Sequence, residues 1–200
     1  MVDSNSYNII KEIKQYAKDE KIPIMQDDGI SFLTTFILKS QPKRILEIGT
    51  AIGYSAIMMA LCNPNIHVTT IERDEKRYLE AVKNIKKLDL EDRITLIFND
   101  ALNVKIEGIY DLIFIDASKS QNIKFFEKFE KNLDKLGYII TDNMMFHGYV
   151  SKDESEIKNR DLRGLVRKIK EYRKYLENHD KFNTVFHDNV GDGIALSSRK

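Results

Sequence analysis

The chain has 200 residues, 42% of them hydrophobic and 32% charged, which suits one globular domain with a proper core and argues against disorder. Its 32 basic and 31 acidic residues leave a formal charge of +1, so no overall excess points to nucleic acid or to an acidic solvating tail. A single cysteine, Cys62, excludes a disulfide framework and a cysteine-rich metal site, and with no transmembrane-length apolar run and a polar segment from Met1 to Asn8 it points to a cytoplasmic protein with no membrane partner.

In chain order, Ile9, Ile10, Ile13, Tyr16 and Ala17 recur at helical spacing, and Ile30 to Leu38 reads as a second helix closed by Gln41-Pro42. Arg44 to Ile48 is a short strand broken at Gly49. Tyr54 to Leu61 is helical, Val68 to Ile71 is a β-branched strand, and Glu75 to Leu88 is a helix expected to turn Leu79, Val82 and Ile85 inward. Ile94 to Phe98 is a strand. Leu112 to Ile115 is the continuous apolar kind that is buried on both faces. A helix over Asn122 to Leu133, with Phe125, Phe126 and Phe129 inward, leads to a strand over Tyr138 to Thr141.

Strands alternating with helices imply βαβ units, a mostly parallel sheet and helices on both faces. After Thr141 the rhythm changes. Asn143 to Glu156 is irregular, Leu162 to Leu176 is a long basic helix, and Thr184 to Phe186 and Ile194 to Ser197 flank the turn Val190-Gly-Asp-Gly193. The expectation is one doubly wound α/β domain over 1–200, with residues 1–40 as an N-terminal helical annex.

Ligands of such sheets bind beyond the carboxyl ends of the strands. The first strand ends in Glu47-Ile-Gly-Thr-Ala-Ile-Gly-Tyr-Ser55, whose two glycines permit a tight turn and close backbone approach. The dinucleotide fingerprint is absent, because Ala51 holds its second glycine position. Glu47 would repel a pyrophosphate and suits a cationic ligand. Glu72, 23 residues past Gly49, is placed to take ribose hydroxyls. Asp100, in Asn99-Asp-Ala101, can accept from an adenine amino group. Ribose, adenine and a cationic centre together describe S-adenosylmethionine.

The fourth strand runs into Asp116 and the fifth into Asp142-Asn143. Adjacent parallel strands lie about 4.8 Å apart, so neighbouring tips would gather Asp116, Asp142 and Asn143 into an all-oxygen set. That set suits Mg²⁺, or Mn²⁺ or Ca²⁺, and lacks the His or Cys expected of zinc. Lys119, three residues after Asp116, would sit over the same point, where a metal and a sulfonium would depress its pKa and make it a general base.

These segments, with Pro23-Ile-Met25, Phe114-Ile-Asp-Ala-Ser-Lys119 and Val190-Gly-Asp-Gly193, resemble the metal-dependent class I O-methyltransferases that include catechol and caffeoyl-CoA methyltransferases. The chain looks most similar to their small bacterial branch, which includes a tRNA wobble 5-hydroxyuridine methyltransferase, and the likeness covers nearly its whole length. Asp116-x-x-Lys119 with Asp142-Asn143 is the part specific to the metal-dependent group. The resemblance implies a Rossmann-like class I fold with a seven-stranded, mostly parallel sheet ending in an antiparallel pair, and a homodimer partly built on the N-terminal helices. It implies Glu72 on the ribose, Asp100 and Ala101 on the adenine, and Met25, Glu47, Gly49, Thr50, Gly53, Tyr54 and Ser55 around the methionine half, with Asp116 at the same cofactor. Asp116, Asp142 and Asn143 would carry the metal, and Asp116 and Lys119 the catalysis. Ser120 and Asn99 depart from glycines common in relatives, and neither removes a ligand.

Two acceptors compete. A catechol-like small molecule is disfavoured by the loop Met144-Met-Phe-His-Gly148 and by the absence of Trp from the chain. The other is 5-hydroxyuridine in tRNA. From Ile157 to Lys181 nine basic and four acidic residues give +5 in 25 residues, a patch able to track phosphates, with Arg163 and Arg167 as the expected RNA contacts. Phe146, His147 and Tyr149 could stack an extruded base. A non-catalytic cofactor-binding module is the third reading, and the intact Asp116, Lys119, Asp142 and Asn143 speak against it.

Overall fold

The computed structural model describes residues 4–200; Met1–Asp3, the start of the expected annex and of the polar segment from Met1 to Asn8, lie outside the described residues. Two helices, α1 (Ser4–Asp19) and α2 (Asp27–Ser40), precede β1 (Arg44–Ile48). Then follow α3 (Tyr54–Leu61), β2 (His67–Glu72), α4 (Glu75–Lys87), β3 (Ile94–Phe98), β4 (Tyr110–Ile115), α5 (Asn122–Phe129) and β5 (Leu133–Thr141). A long helix, α6 (Arg160–Glu177), leads to the closing hairpin of β6 (Phe182–His187) and β7 (Ile194–Arg199). Among the described residues no helix is long and apolar enough to cross a membrane.

The seven strands form one sheet in the order β3-β2-β1-β4-β5-β7-β6. β1 to β5 pair in parallel, and β7 runs antiparallel to both β5 and β6. The chain leaves β1 in one direction through β2 and β3, then returns to build outward from β4. The switch point therefore lies between the carboxyl ends of β1 and β4, where open α/β sheets bind ligands.

Strand alternation divides the core between the two faces. Leu112 and Phe114 of β4 join Ile45, Ile13, Leu33 and Ile57 under α1, α2 and α3. Ile113 and Ile115 join Leu46, Phe126, Tyr172 and Leu176 under α5 and α6. Burial on both sides explains why β4 reads as an uninterrupted apolar run.

Two expectations are corrected. α4 buries Ala81, Asn84 and Ile85, while Leu79 and Val82 stay 52% and 40% exposed. The reason is the glycine turn beneath it: a Cβ on Gly53 would lie 3.4 Å from the Ala81 methyl, and Asn84 Nδ2 donates to Ile52 O at 2.9 Å. Close approach to the turn selects a small side chain and an amide there, which rotates the larger apolar residues outward. The helix expected over Asn122 to Leu133 ends at Phe129, followed by a 3₁₀ turn over Glu130–Asn132, and Leu133 already belongs to β5. Asn132 Nδ2 donates to Ile106 O and Gly108 O and draws the chain out of the helix.

Candidate active site

The carboxyl ends of β1, β2, β4 and β5 surround a cavity of about 510 Å³, within the size range of small-molecule sites. Met25, Gly49, Glu72, Asp100, Ala101, Asp116, Lys119, Asp142 and Asn143 all line it.

At the β1 tip Gly49 has φ +101°, and a Cβ there would fall 2.3 Å from Asp116 O, so only glycine fits between the two strand ends. The turn is locked to β2 by Glu72, which is buried. Its Oε2 accepts from Ala51 N, and its Oε1 from Arg73 N and Asp74 N, each at 2.8 Å. Three of its roughly four acceptor positions are thus taken by the backbone. Asp100 is similarly shared. It accepts from Leu102 N at 2.8 Å and from Arg73 Nη1 at 3.1 Å, and these donors hold its carboxyl below the usual range.

Glu47 is corrected from a ligand-facing acid to a buried one. Two positions from Ile45, it points to the same face, beneath α3, with no exposed surface. Oε1 accepts from Ser55 Oγ and Oε2 from Thr70 Oγ1, each at 2.5 Å. Burial pushes its carboxyl up to about 7 despite those donors. Thr50 is spent on Thr70 at 2.6 Å. Gly53 caps α3 and Tyr54 is buried at its first turn. Glu47, Thr50, Gly53, Tyr54 and Ser55 lie outside the cavity lining and form the support beneath the turn.

The acidic end matches the expected juxtaposition. Ile115 pairs with Thr141, so the next residues, Asp116 and Asp142, leave adjacent strand tips. Asp116 N donates to Ile48 O at 2.9 Å and Asp142 N to Ile115 O at 3.2 Å, which carries the ladder one step past the strands. Lys119, on a 3₁₀ turn over Lys119–Gln121, reaches back to Asp116 Oδ1 at 2.5 Å. Asp142 is 3% exposed, and its Oδ1 is buried without a hydrogen-bond partner. Burial and the Asp116 charge push its carboxyl up against the pull of Lys119.

An orphaned, buried carboxylate oxygen is costly unless a cation meets it. The donor set here is two carboxylates and the Asn143 amide. Among the described residues no group of three or more His, Cys, Asp or Glu is placed for a metal, so the amide has to complete the set. All-oxygen donors suit Mg²⁺, Mn²⁺ or Ca²⁺. These residues fit such an ion on that chemistry.

Arg163 and Arg167 lie away from the cavity lining and are engaged. Arg163 Nη1 donates to Ile157 O at 3.2 Å, and Arg167 pairs with Glu154 at 2.8 Å. Lys170 donates to Lys152 O, and Arg173 holds Asp188 with both nitrogens while stacking on Phe186. Much of the basic helix therefore also fastens the 149–157 segment and the end of β6. Sequence reasoning assigned nothing to Asp192. It is a buried acid that accepts from Asn143 Nδ2 at 3.1 Å, and its one signal was its place between two glycines.

A sequence profile described as O-methyltransferase matches residues 2–200. The chain is 28% identical to a caffeoyl-CoA O-methyltransferase of Stellaria longipes, over 95% of this chain and 83% of that protein. It is 29% identical to a flavonoid 3',5'-methyltransferase of Vitis vinifera, over 86% and 77% of the two chains. Among solved structures, a Staphylococcus aureus protein provisionally described as a caffeoyl-CoA O-methyltransferase superposes with a TM-score of 0.90 at 37% identity, covering 96% of this chain and 92% of that one. A Bacillus cereus O-methyltransferase, solved as a complex with SAH, gives 0.82 at 26% identity, with 96% and 91% covered. Profile, relatives and fold agree: the chain belongs to the class I O-methyltransferase family and transfers a methyl group to an oxygen atom.

Proposed function

We propose that this single 1–200 domain is an S-adenosylmethionine- and divalent-metal-dependent O-methyltransferase acting on 5-hydroxyuridine at the wobble position of tRNA. The SAH complex of the Bacillus cereus relative supports the cofactor. Asp142 Oδ1, buried and unpartnered beside Asp116, supports the metal. The observation that carries the acceptor is the place of the basic helix: α6 packs against both the Lys119–Gln121 turn and the 3₁₀ turn over Tyr149–Ser151, so its +5 segment borders the site.

A bound divalent cation supplies Lewis-acid stabilisation of an ionised hydroxyl, and S-adenosylmethionine supplies the methyl group. The chain supplies position. Asp116, Asp142 and the Asn143 oxygen converge on one end of the cavity, and Glu72 with the glycine turn holds the other. Lys119, beside Asp116 at this end of the cavity, is the candidate base for the proton of the acceptor hydroxyl. Glu72 and the glycine turn would hold S-adenosylmethionine so that its methyl carbon passes to the acceptor oxygen, with S-adenosylhomocysteine as the leaving group. Holding both reactants at near-attack distance accounts for much of the acceleration.

A small hydroxylated aromatic is the second reading, and the Arg167–Glu154 pair favours it, because that arginine is already neutralised. The homodimer expectation finds support in Tyr16 of α1 and Leu79 and Val82 of α4, exposed on two helices that pack together. The deciding experiment is methyl transfer from labelled S-adenosylmethionine to tRNA from cells lacking this protein, beside a catechol panel. Methylation of the wobble uridine, read by mass spectrometry, is expected; transfer to catechols alone would replace the tRNA reading.

A further inference from the structure

The turn between β6 and β7 holds a carboxylate that the mechanism above does not use. Asp192 is 5% exposed. Its Oδ2 accepts from Asn143 Nδ2 at 3.1 Å, its Oδ1 accepts the backbone N–H of His147, and the His147 imidazole Nδ1 lies 3.7 Å from Oδ2. Two backbone bonds run beside these: Met145 N donates to Asp192 O at 2.8 Å and Met144 N to Gly193 O at 2.9 Å. Gly193 allows this contact, since a Cβ there would sit 2.7 Å from Met145 N.

The segment held this way is unusual. Asn143, Phe146 and His147 all have left-handed backbone, with φ of 63°, 44° and 54°. Such conformations are unfavourable for residues other than glycine and persist where the surroundings over-determine them. The turn is itself anchored from the far side, because Asp28 Oδ2 accepts from Gly191 N at 2.9 Å.

We infer that Asp192 is a positioning residue that turns the Asn143 amide so its oxygen serves the metal, and with the same carboxylate fixes the loop displaying Phe146 and His147 to the acceptor. An ionised carboxylate only accepts, so the end of Asn143 that faces it is the NH₂ group. The carbonyl oxygen is left for the cavity, which Asn143 lines. Outer partners of this kind orient metal ligands. The inference rests on the metal reading of Asp116, Asp142 and Asn143.

An exchange of polarity tests it. In Asp192→Asn the new amide can keep its oxygen on the His147 N–H, but its NH₂ then opposes the NH₂ of Asn143, which has to turn its own oxygen away from the metal. In the double variant Asp192→Asn/Asn143→Asp the donor and acceptor are reversed and the bond is restored, with a carboxylate facing the metal. Mn²⁺ binding to the full chain is read by electron paramagnetic resonance, alongside S-adenosylmethionine affinity and circular dichroism. Asp192→Asn is expected to bind Mn²⁺ about 10- to 100-fold more weakly with cofactor affinity retained, and the exchanged pair to recover most of the loss. Wild-type Mn²⁺ affinity in Asp192→Asn would overturn the inference. If Asp192→Asn does not fold, the exchanged pair decides: a folded, Mn²⁺-binding double variant supports the inference, and one that fails to fold or to bind overturns it. A wild-type chain that takes up no Mn²⁺ would remove the metal reading itself and this inference with it; a wild type that binds beside an unaffected Asp192→Asn removes the inference alone.

Discussion

Lys119 Nζ lies 2.5 Å from Asp116 Oδ1, three residues away, because the chain leaves β4 and turns at once into a 3₁₀ segment. The pair places the proposed general base and a metal-ligand candidate on one wall of the cavity, and the lysine side chain is only 14% exposed. Lys119→Ala is expected to lower kcat by about 10²- to 10⁴-fold, the usual worth of a positioned general base, and to remove the rise of kcat with pH that a general base imposes. Unchanged kcat against pH would demote the lysine to a structural partner of Asp116.

Asp142 trades stability for function. Its carboxyl is pushed up by burial and by the charge of Asp116, so the folded metal-free chain holds that proton more tightly than the unfolded one. The stability this contributes is present in acid and is lost as pH rises through the folded value. Asp142→Asn is therefore expected to raise the melting temperature of the metal-free protein, more at alkaline than at acidic pH, while abolishing methyl transfer. EDTA should abolish transfer by the wild type as well, with recovery on adding Mg²⁺ or Mn²⁺. Thermal melts at two pH values and a chelation assay check both; full activity in EDTA would sink the metal role.

What could be read in the sequence follows the physics of each signal. β1 and α2 end where Gly49 and Gln41-Pro42 predict, and β4 and β5 are neighbours, so the Asp116–Asp142 juxtaposition was legible from strand ends alone. Glu47 was not. Its type and place suggested a ligand contact, but which face a strand residue takes depends on pairing and on what covers it, here Ser55 of α3 and Thr70 of β2. Leu79 and Val82 misled in the same way, since a helix that approaches a glycine turn buries its small residues. Asp192 was hidden because its partners, Asn143 and His147, lie more than forty residues upstream.

Arg163 and Arg167 belong to the segment that borders the site, but both are engaged within the chain. An exposed, solvent-screened pair such as Arg167 with Glu154 is weak enough for a phosphate to displace. Arg163→Glu/Arg167→Glu is expected to cut tRNA methylation at least about tenfold and to lower the salt slope of RNA binding by about two. Glu154→Gln, which frees Arg167, should strengthen binding. Filter binding of tRNA across salt concentrations reads both, and retained methylation by the doubly reversed chain would count against an RNA-binding helix.

Glu47 carries the clearest pH signature in the fold. It has no exposed surface, and burial raises its carboxyl from the ordinary 4.5 to about 7 even though Ser55 and Thr70 both donate to it. The folded state thus holds a proton that the unfolded state has released between those values. Stability from Glu47 is complete below about 4.5 and is lost as pH climbs through about 7, a total of order 3 kcal/mol at about 1.4 kcal/mol per unit. Glu47→Gln keeps the shape and cannot ionise. One hydroxyl of the Thr50–Thr70 pair can re-aim to accept from the new amide, since either of those oxygens can donate to the other. Its denaturant midpoint is expected to match the wild type near pH 5 and to exceed it at pH 8, flattening the decline that the wild type shows on crossing neutrality. Urea titrations at pH 5 and 8 measure the difference, and a variant whose midpoint falls in parallel with the wild type would place the decline elsewhere, with Asp142 the next carboxyl to test.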